Sequence, residues 1–600
     1  MNSDNQTSKS SKNGNTYIYK VLTFFKKHWV SALSVVLAIL SFGICLYYIV
    51  CLSKGDFHSD CTDSLYWANA TVESGKVFDE NFRYAAMLPF SASLWFIPII
   101  KLFGVTMRAQ IIGMSVFLVL FTAAIWFMCR SMNWSIRATC SMVSALLLIL
   151  SGSNKLREIM WGHVIYYSLA LLIICVGTGL VFRFEKHFAN SEGASSRRKK
   201  SITGAVIFGA LTALLFAGNA TNGFQMIAIA TVPVLAGIFA ERFFDGRQKL
   251  FSRSNIPAAV MLLAVMVSTL FGLVILKLLK GEKNAGYTSV YSMFSGVSDW
   301  YGNFTKLFSQ FPELIGISIK KSDRMISKES IVYLIRLVGM LVITVIPLVG
   351  LFGYKKLRDK STRYILWVHL SLTAVILFGY ICGRISNANW RLTPIIGSSV
   401  MATVAILREW LGGLFMKKNT DDTESDKIFM KKNTDDTEID EKCSEKRVCF
   451  RLGVILSAVI VMFGAVNFNE IRKMPKDYEH PLEAVANDLE AHGLEYGYAT
   501  FWRSQALTML SDSKVRVRET LVNSNGVVTD YYQSSRLWYE DQPGIDKYFI
   551  MLSDDELNTV EDSEYWQEIT EKYLIENFET RGYNVFVFSR NVILKGTFSS

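Results

Sequence analysis

Four acidic or imidazole side chains crowd into one short stretch of the chain, GDFHSDCTDSLYWANATVESG, namely Asp56, His58, Asp60 and Asp63. If a helix begins near Ser59, Asp60 and Asp63 lie one turn apart on one face. A carboxylate in such a place accepts a proton from a hydroxyl, or binds a divalent cation beside a phosphate. The same pattern also fits a helix start, with Ser59 as the cap and the acids favouring the helix dipole. Both interpretations remain open from the local pattern alone.

The elements around this stretch are those of a membrane protein. The chain has 600 residues, of which 51% are hydrophobic and 19% charged, whereas a soluble domain has roughly 25% charged residues. Several apolar runs of about 18–24 residues are each long enough to cross the hydrocarbon core. This composition excludes a soluble enzyme and a secreted disulfide scaffold. Nucleic acid is excluded as a partner despite the net charge of +11, because the basic residues follow the expected loop distribution of a membrane protein.

The pattern predicts a polytopic α-helical protein of about eleven transmembrane helices, with a small external α/β domain at the C-terminal end. The predicted spans are 30–52, 109–129, 138–152, 160–182, 202–218, 223–240, 256–279, 331–353, 364–383, 391–411 and 450–468. A further apolar stretch, 88–104, contains two prolines and is only about 17 residues long, so an interfacial or re-entrant helix is predicted there.

Lysine and arginine in the loops predict the orientation. The disordered, basic segment 1–29 and the charged loop 412–449 are expected in the cytoplasm, and that loop contains FMKKNTDDTE twice, at 415–424 and 429–438. The loop 53–108 and the domain 469–600 are then external. The chain is predicted to reside in a bacterial plasma (inner) membrane.

Within 469–600, alternating patterns predict one helix and several strands. The helix is predicted at 482–492, and the strands at 496–502, 515–521, 548–552 and 583–587.

The order of these parts resembles the GT-C superfamily of membrane glycosyltransferases, which includes protein O-mannosyltransferases, aminoarabinose transferases of lipid A and oligosaccharyltransferase catalytic subunits. The local match is DCTDSLYWANATVESG in the first external loop, and 30–468 would be the GT-C-like membrane domain. Family members often have adjacent acids, whereas Asp60 and Asp63 are three residues apart. The resemblance therefore leaves open which of them is the base, and whether they bind a divalent cation such as Mg or Mn.

The resemblance implies inverting transfer of a sugar from a polyprenyl-phosphate donor in the bilayer to an envelope glycan, lipid or protein on the outer face. Such a donor needs cations near the outer ends of the spans, where the predicted topology places Lys155, Arg157, Arg336, Arg384 and Arg391. Arg391 in SNANWRLTPIIG is similar to the Arg-x-x-Pro region of late family spans and is the leading candidate for the donor phosphate. An interfacial anchor beside Trp390 is the alternative.

Further side chains are predicted to support the site: His58, Tyr66, Glu158, His163, Asn219 and Asn222. Two other functions remain open, a transporter or flippase of lipid-linked sugars and a non-catalytic scaffold with an external binding domain. Transporters often contain internal repeats, and the two halves of this sequence show no such repeat. No Walker loop, dinucleotide fingerprint or HExxH pair is present, so nucleotide-driven chemistry is not predicted.

Overall fold

The computed structural model describes residues 29–191, 195–244, 252–280, 293–320, 323–384, 388–412, 436–476 and 478–596. The N-terminal segment that the sequence predicts to be disordered lies outside these residues, except for its last position. Most of the duplicated FMKKNTDDTE segment lies outside them too.

The helices before the C-terminal domain are α1 (Trp29–Asp56), α2 (Asp63–Ser74), α3 (Ser93–Phe103), α4 (Met107–Ser131), α5 (Ile136–Ile149), α6 (Asn154–Gly162), α7 (Tyr166–Ser191), α8 (Ser195–Thr221), α9 (Phe224–Phe243), α10 (Arg253–Lys280), α11 (Asp299–Leu314), α12 (Lys328–Phe352), α13 (Lys360–Cys382), α14 (Asn389–Trp410) and α15 (Asp436–Lys473). Within the described ranges, ten of them are long and apolar enough to cross a membrane, all except α2, α3, α5, α6 and α11. The bent pair α5–α6 makes an eleventh if it counts as one broken span. The predicted polytopic fold is confirmed.

One predicted span is broken by a bend in the structure. The sequence predicts a full crossing over 138–152, but α5 ends at Ile149 and the chain then bends by 117° into α6. At 14 residues, α5 is about 21 Å long, short of the roughly 30 Å hydrocarbon core. The break leaves backbone carbonyls without helical partners, and two guanidinium groups donate to them. Arg157 binds the carbonyl oxygen of Ser151 at 3.3 Å, and Arg336 that of Gly152 at 2.7 Å.

The apolar stretch 88–104 forms the short helix α3 of 11 residues. This length corresponds to about 17 Å, which is too short to cross the hydrocarbon core. The helix packs on α4, where the Trp95 indole donates to the backbone oxygen of Gly113 at 3.1 Å. The prediction of a non-crossing helix agrees with this length.

The C-terminal domain contains a six-stranded sheet in the order β3-β2-β1-β4-β6-β5. Its elements are α16 (Pro481–Ala491), β1 (Tyr496–Thr500), α17 (Phe501–Leu510), β2 (Arg516–Asn523), β3 (Gly526–Thr529), β4 (Tyr548–Leu552), α18 (Asp554–Val560), α19 (Glu564–Tyr573), β5 (Leu574–Thr580) and β6 (Tyr583–Phe588). The strands β2, β1 and β4 are parallel, and β3, β6 and β5 extend the sheet by antiparallel pairing. The predicted small α/β domain is confirmed, although β3 and β5 were not predicted.

The C-terminal domain lies against the loop that follows α1, so both occupy the same end of the helix bundle, here called the proximal end. His480 lies 3.0 Å from the backbone oxygen of Phe57, and Lys54 pairs with Glu483. The opposite, distal end is held by other ion pairs, of which Arg363 with Glu241 at 3.1 Å and Arg408 with Asp359 are examples.

We expect the proximal end to face the outside of the cell, because the basic loops belong to the distal end. Cysteines are introduced singly by Asn558→Cys, at an exposed position of α18, and by Ser425→Cys in the charged loop. A membrane-impermeant thiol reagent added to intact cells should label the first above the background of the parent protein and leave the second unlabelled. Permeabilised cells, in which both are labelled, are the control. The reverse pattern would place the first loop in the cytoplasm.

Candidate functional site

The acidic stretch begins directly after α1 and forms a single 3-10 turn, Ser59–Thr62, before α2 starts at Asp63. Ser59 does not cap this helix. Its hydroxyl donates to the backbone oxygen of Phe501 at 2.5 Å and accepts from the backbone nitrogen of Ala506 at 3.3 Å. The serine that the capping interpretation requires is therefore used to join the loop to α17 of the C-terminal domain.

Asp63 is held inside the contact between the loop and the C-terminal domain. Its carboxyl, 8% exposed, accepts a hydrogen bond from the Gln533 amide. The oxygen of that amide accepts in turn from the Trp67 indole and from the backbone nitrogen of Ala85. Burial, followed by the nearby charge of Asp60, holds the pKa of Asp63 well above its usual range. A raised pKa favours the protonated carboxyl, which is a poor general base.

Asp60 differs from Asp63 in its exposure and in its hydrogen bonding. Its side chain is half-exposed, and within the described residues no group donates a hydrogen bond to its carboxylate. A buried acid from the neighbouring domain, Glu519 of β2, lies close enough for the charges of Asp60 and Asp63 to act on it. Burial and the adjacent Asp530 raise the pKa of Glu519 well above its usual range. Of these acids, Asp60 has the carboxylate best able to take a proton.

A second group of charges, the Glu158 cluster, consists of Glu158 and Lys155 on α6 together with His58 and His163. Glu158 lies 2.5 Å from the Lys155 ammonium, 3.4 Å from His58 and 3.9 Å from His163. Burial alone would lower the pKa of His58, but its contacts with Cys61 and Glu158 raise that pKa to about 11. The contact with the Glu158 carboxylate favours the charged form of His58. Because it precedes Asp60 by two residues, it joins the cluster to the acidic turn.

Asp56 is a further carboxylate, at the end of α1. It belongs to the acidic stretch, but no catalytic role for it was predicted from the sequence. It accepts a hydrogen bond from the Tyr48 hydroxyl at 2.9 Å and lies 3.7 Å from the Arg157 guanidinium. Asp56 and Glu158 line the same small pocket, whose wall includes Trp161. The pocket brings together carboxylates from two elements that are about 100 residues apart in sequence.

Two of the arginines predicted to bind phosphate already form hydrogen bonds with other groups of the protein. Arg157 is 1% exposed and donates to the Ser151 carbonyl and to the Asn154 side chain. Arg336 donates to the carbonyls of Gly316 and Gly152 and pairs with Glu470. Both groups stabilise the bend after α5, which leaves few of their N–H donors for a ligand.

The other predicted cations are nearer the surface. Lys155 keeps 36% of its side chain exposed, and its ammonium lies 5.1 Å from the centre of the Trp390 ring. Arg391 follows that tryptophan, is half-buried, and lies within electrostatic range of Tyr167. Arg384 is exposed on the turn after α13, where its backbone nitrogen donates to Met293. Lys155 therefore contacts the residue that directly precedes Arg391.

The remaining predicted residues are bonded or packed within the protein. The Tyr66 ring packs edge-on against Trp538 of the C-terminal domain, with centroids 5.6 Å apart. Asn219 donates to the backbone of Met226 and to Thr231. The Asn222 amide accepts from the backbone nitrogen of Phe90 and donates to its oxygen, both at 2.9 Å. Asn222 thus fixes the segment that leads into α3.

Two apolar pockets that share the lining residue Leu94, together called the apolar groove, lie between the helix bundle and α2. Its deeper part, about 350 Å³, is lined by residues of α3, α4, α7 and α8, including Trp95 and Leu120. The upper part, about 100 Å³, is lined by Trp67 and Phe78, and Leu94 belongs to both parts. The groove reaches the helix face that Trp67 shares with Asp63, one turn earlier.

The side chains of Asp60 and Asp63 do not fit the divalent-cation site that was predicted there. The Asp63 carboxyl already accepts from the Gln533 amide, whereas a bound Mg or Mn needs charged oxygen ligands. Across the described ranges, no three His, Cys, Asp or Glu side chains are placed to hold a metal together.

No family model matches this chain, and no curated protein matches it. Among solved structures, it is similar to the apo oligosaccharyltransferase of Archaeoglobus fulgidus, with 11% identity, a TM-score of 0.43, and coverage of 82% of this chain and 65% of the other. It is also similar to apo ArnT from Cupriavidus metallidurans, with 11% identity, a TM-score of 0.36, and coverage of 94% and 98%. A third is archaeal oligosaccharyltransferase AglB from Archaeoglobus fulgidus in complex with an inhibitory peptide and a dolichol-phosphate, with 12% identity, a TM-score of 0.33, and coverage of 94% and 74%.

The chain thus spans less than two thirds of the first of these proteins. Oligosaccharyltransferases and ArnT are membrane glycosyltransferases of the superfamily that the first-loop motif resembles.

Proposed function

We propose that this protein transfers a sugar from a polyprenyl-phosphate-linked donor to an acceptor hydroxyl or amide on the outer face of the membrane. The observation that carries the proposal is the pairing of two features at the proximal end. Asp60, a half-exposed carboxylate to which no described group donates, lies two residues from His58 of the Glu158 cluster, which holds a partly exposed ammonium, Lys155. The Asp60 carboxylate could act as the base, and the Lys155 ammonium could stabilise the leaving phosphate.

In the reaction, the acceptor loses its proton to the Asp60 carboxylate as its nucleophilic atom attacks the anomeric carbon of the sugar. The bond between that carbon and the phosphate oxygen breaks, and its electron pair leaves with the lipid phosphate. A single displacement of this kind inverts the anomeric centre. Lys155 and Arg391 stabilise the negative charge that develops on the phosphate, because preorganised cations act most strongly where charge appears in the transition state.

The choice of Asp60 over Asp63 follows from their surroundings. A base must be charged and must reach the acceptor. Asp63 has a raised pKa, and its carboxyl is bonded to Gln533. Its role in this proposal is to orient the turn that presents Asp60, through the contact with the C-terminal domain.

The apolar groove between α3, α4, α7 and α8 supports a lipid-linked donor. It is lined almost entirely by apolar side chains and rises from the bundle to α2. A prenyl chain in this groove would bring its phosphate towards the proximal end, where the cations are. A water-soluble nucleotide-sugar donor would gain nothing from such a groove.

The test measures transfer of labelled sugar from a panel of polyprenyl-phosphate sugars in proteoliposomes, with an envelope extract as the acceptor. Lys155→Met should raise the KM for the donor on the order of 10–100-fold, because a hydrogen bond to a charged group contributes about 1.5–3 kcal/mol. Arg391→Ala should weaken donor binding comparably, and Arg391→Lys should recover only part of it. Lys76→Met, which removes an exposed lysine paired with Glu80, is the matched control.

Unchanged KM values for the donor in all of these variants would show that Lys155 and Arg391 do not contribute to donor binding. Absence of transfer from every donor in the panel, with tight binding of the same donors, would instead favour transport.

A further inference from the structure

A separate cavity of about 350 Å³ lies between α1, α5, α14 and α15, outside the groove and the Glu158 cluster. Its walls are almost entirely apolar and include Leu37, Ala145, Leu148, Leu407 and Ile460. Several small hydroxyl side chains also line it, and two of them, Ser41 and Ser144, donate to the backbone of their own helices. Its walls therefore suit a hydrocarbon chain.

The length of the cavity matches one leaflet of a bilayer. Along α5 it extends from Ala138 to Leu148, which is about 15 Å of helix. Half of a hydrocarbon core of roughly 30 Å has the same depth. Since Ala138 lies near the distal start of α5, the cavity covers the leaflet on the distal side.

A cation closes the distal end of the cavity. Arg408 of α14 is 6% exposed, lies over the Trp134 ring at 4.3 Å, and pairs with Asp359. Arg408 is also among the residues that line the cavity, so a positive charge lies at its distal end.

Further basic residues lie at the same end. Arg137 directly precedes the lining residue Ala138, and Arg451 is exposed on α15, about two turns before the lining residue Ser457. Basic pockets between helices on the cytoplasmic side attract anionic lipid head groups. The charge at the distal end is therefore complementary to a lipid phosphate.

We propose that this cavity binds an anionic glycerophospholipid of the distal leaflet. One acyl chain lies between α1, α5, α14 and α15, and the head group lies among the distal arginines.

The bound lipid would set the spacing of α1 and α15. These two helices end at Asp56 and near Glu470, and both of those acids lie 3.7 Å from Arg157 at the proximal end. The lipid site does not depend on the transferase proposal.

The test is native mass spectrometry and thermal denaturation of the full chain, released from nanodiscs of phosphatidylglycerol or of phosphatidylcholine. The parent should retain phosphatidylglycerol at least ten-fold more than phosphatidylcholine and unfold at a higher temperature with it. Ala145→Phe fills the cavity and should abolish both effects. Ala210→Phe, at an exposed position of α8, makes the same substitution outside the cavity and should leave both unchanged.

If Ala145→Phe does not fold, Ser141→Leu on the same wall replaces it. Equal retention of the two lipids by the parent would overturn the proposal, since it would show hydrocarbon filling without head-group recognition. Equal retention of phosphatidylglycerol by the parent and the filled variants would also overturn it. Loss of a dimer in the filled variants would assign the cavity to a second copy instead.

Discussion

Asp60→Asn is expected to reduce sugar transfer by about 10²–10⁴-fold while the protein folds and accumulates like the parent, because an amide cannot accept the proton of the acceptor. The side chain is half-exposed and bonded to no described group, so the substitution removes no contact that stabilises the fold. The measurement is the initial rate of transfer in proteoliposomes at saturating donor, together with the amount of monodisperse protein.

Two matched variants separate the role of Asp60 from that of its neighbours. Asp63→Asn keeps an oxygen to accept from Gln533, so transfer should stay within several-fold of the parent. Glu80→Gln changes an exposed acid of the same loop, paired with Lys76, and should have no effect. A large loss in Asp56→Asn with none in Asp60→Asn would assign the base to Asp56. Parental rates in all four variants would place the chemistry elsewhere.

The Asp63 variant has a second consequence, for stability. Because the folded-state pKa of Asp63 is raised, its contribution to stability is complete at low pH and is lost as the pH rises through that pKa. Asp63→Asn should therefore flatten the decline in stability with rising pH.

Arg336→Met is expected to destabilise the protein strongly, regardless of its effect on sugar transfer. It would leave the carbonyls of Gly152 and Gly316 without their donor, and Glu470 with only the more distant Arg157. Each buried acceptor left unsatisfied costs about 1–3 kcal/mol. The measurement is the unfolding midpoint in mixed micelles.

Arg384→Met is the control, since this exposed arginine is also among the predicted phosphate ligands. Its unfolding midpoint should match that of the parent. If Arg336→Met is as stable as the parent but binds donor poorly, Arg336 contacts the phosphate and does not hold the bend.

The membrane spans were predictable because each depends on a long apolar run, a property of adjacent residues. The bend after Ile149 was not, because the apolar pattern continues through Leu150 and the break depends on Arg336, about 180 residues later. In the C-terminal domain, α16, β1, β2, β4 and β6 were predicted from local periodicity. The strand predicted to end at Trp502 instead gives way to α17 at Phe501.

The candidate site was predictable only in part. The sequence identified the acidic stretch, Glu158 and the cations near the ends of the spans. It gave no sign of Gln533, which lies in the segment YYQSSRLWYE, where no charge or spacing marks a partner for Asp63. It also selected Arg157 and Arg336 for ligand binding, because an arginine that satisfies a broken helix cannot be told by local pattern from one that binds a phosphate.

The acidic turn of the first loop is positioned by the C-terminal domain. The site can therefore form only after that domain has been synthesised. Asp63 leaves the ribosome 470 residues before the glutamine that holds it, which at about 5–20 residues per second is a delay of roughly 20–90 s. During that interval the membrane helices can insert and pack, but the acidic turn has neither Gln533 nor the anchors for Ser59. A nascent chain stalled before β3 would therefore carry every acid and cation of the site with Asp60 unpositioned, and the newly made protein acquires its geometry only once the last domain has docked.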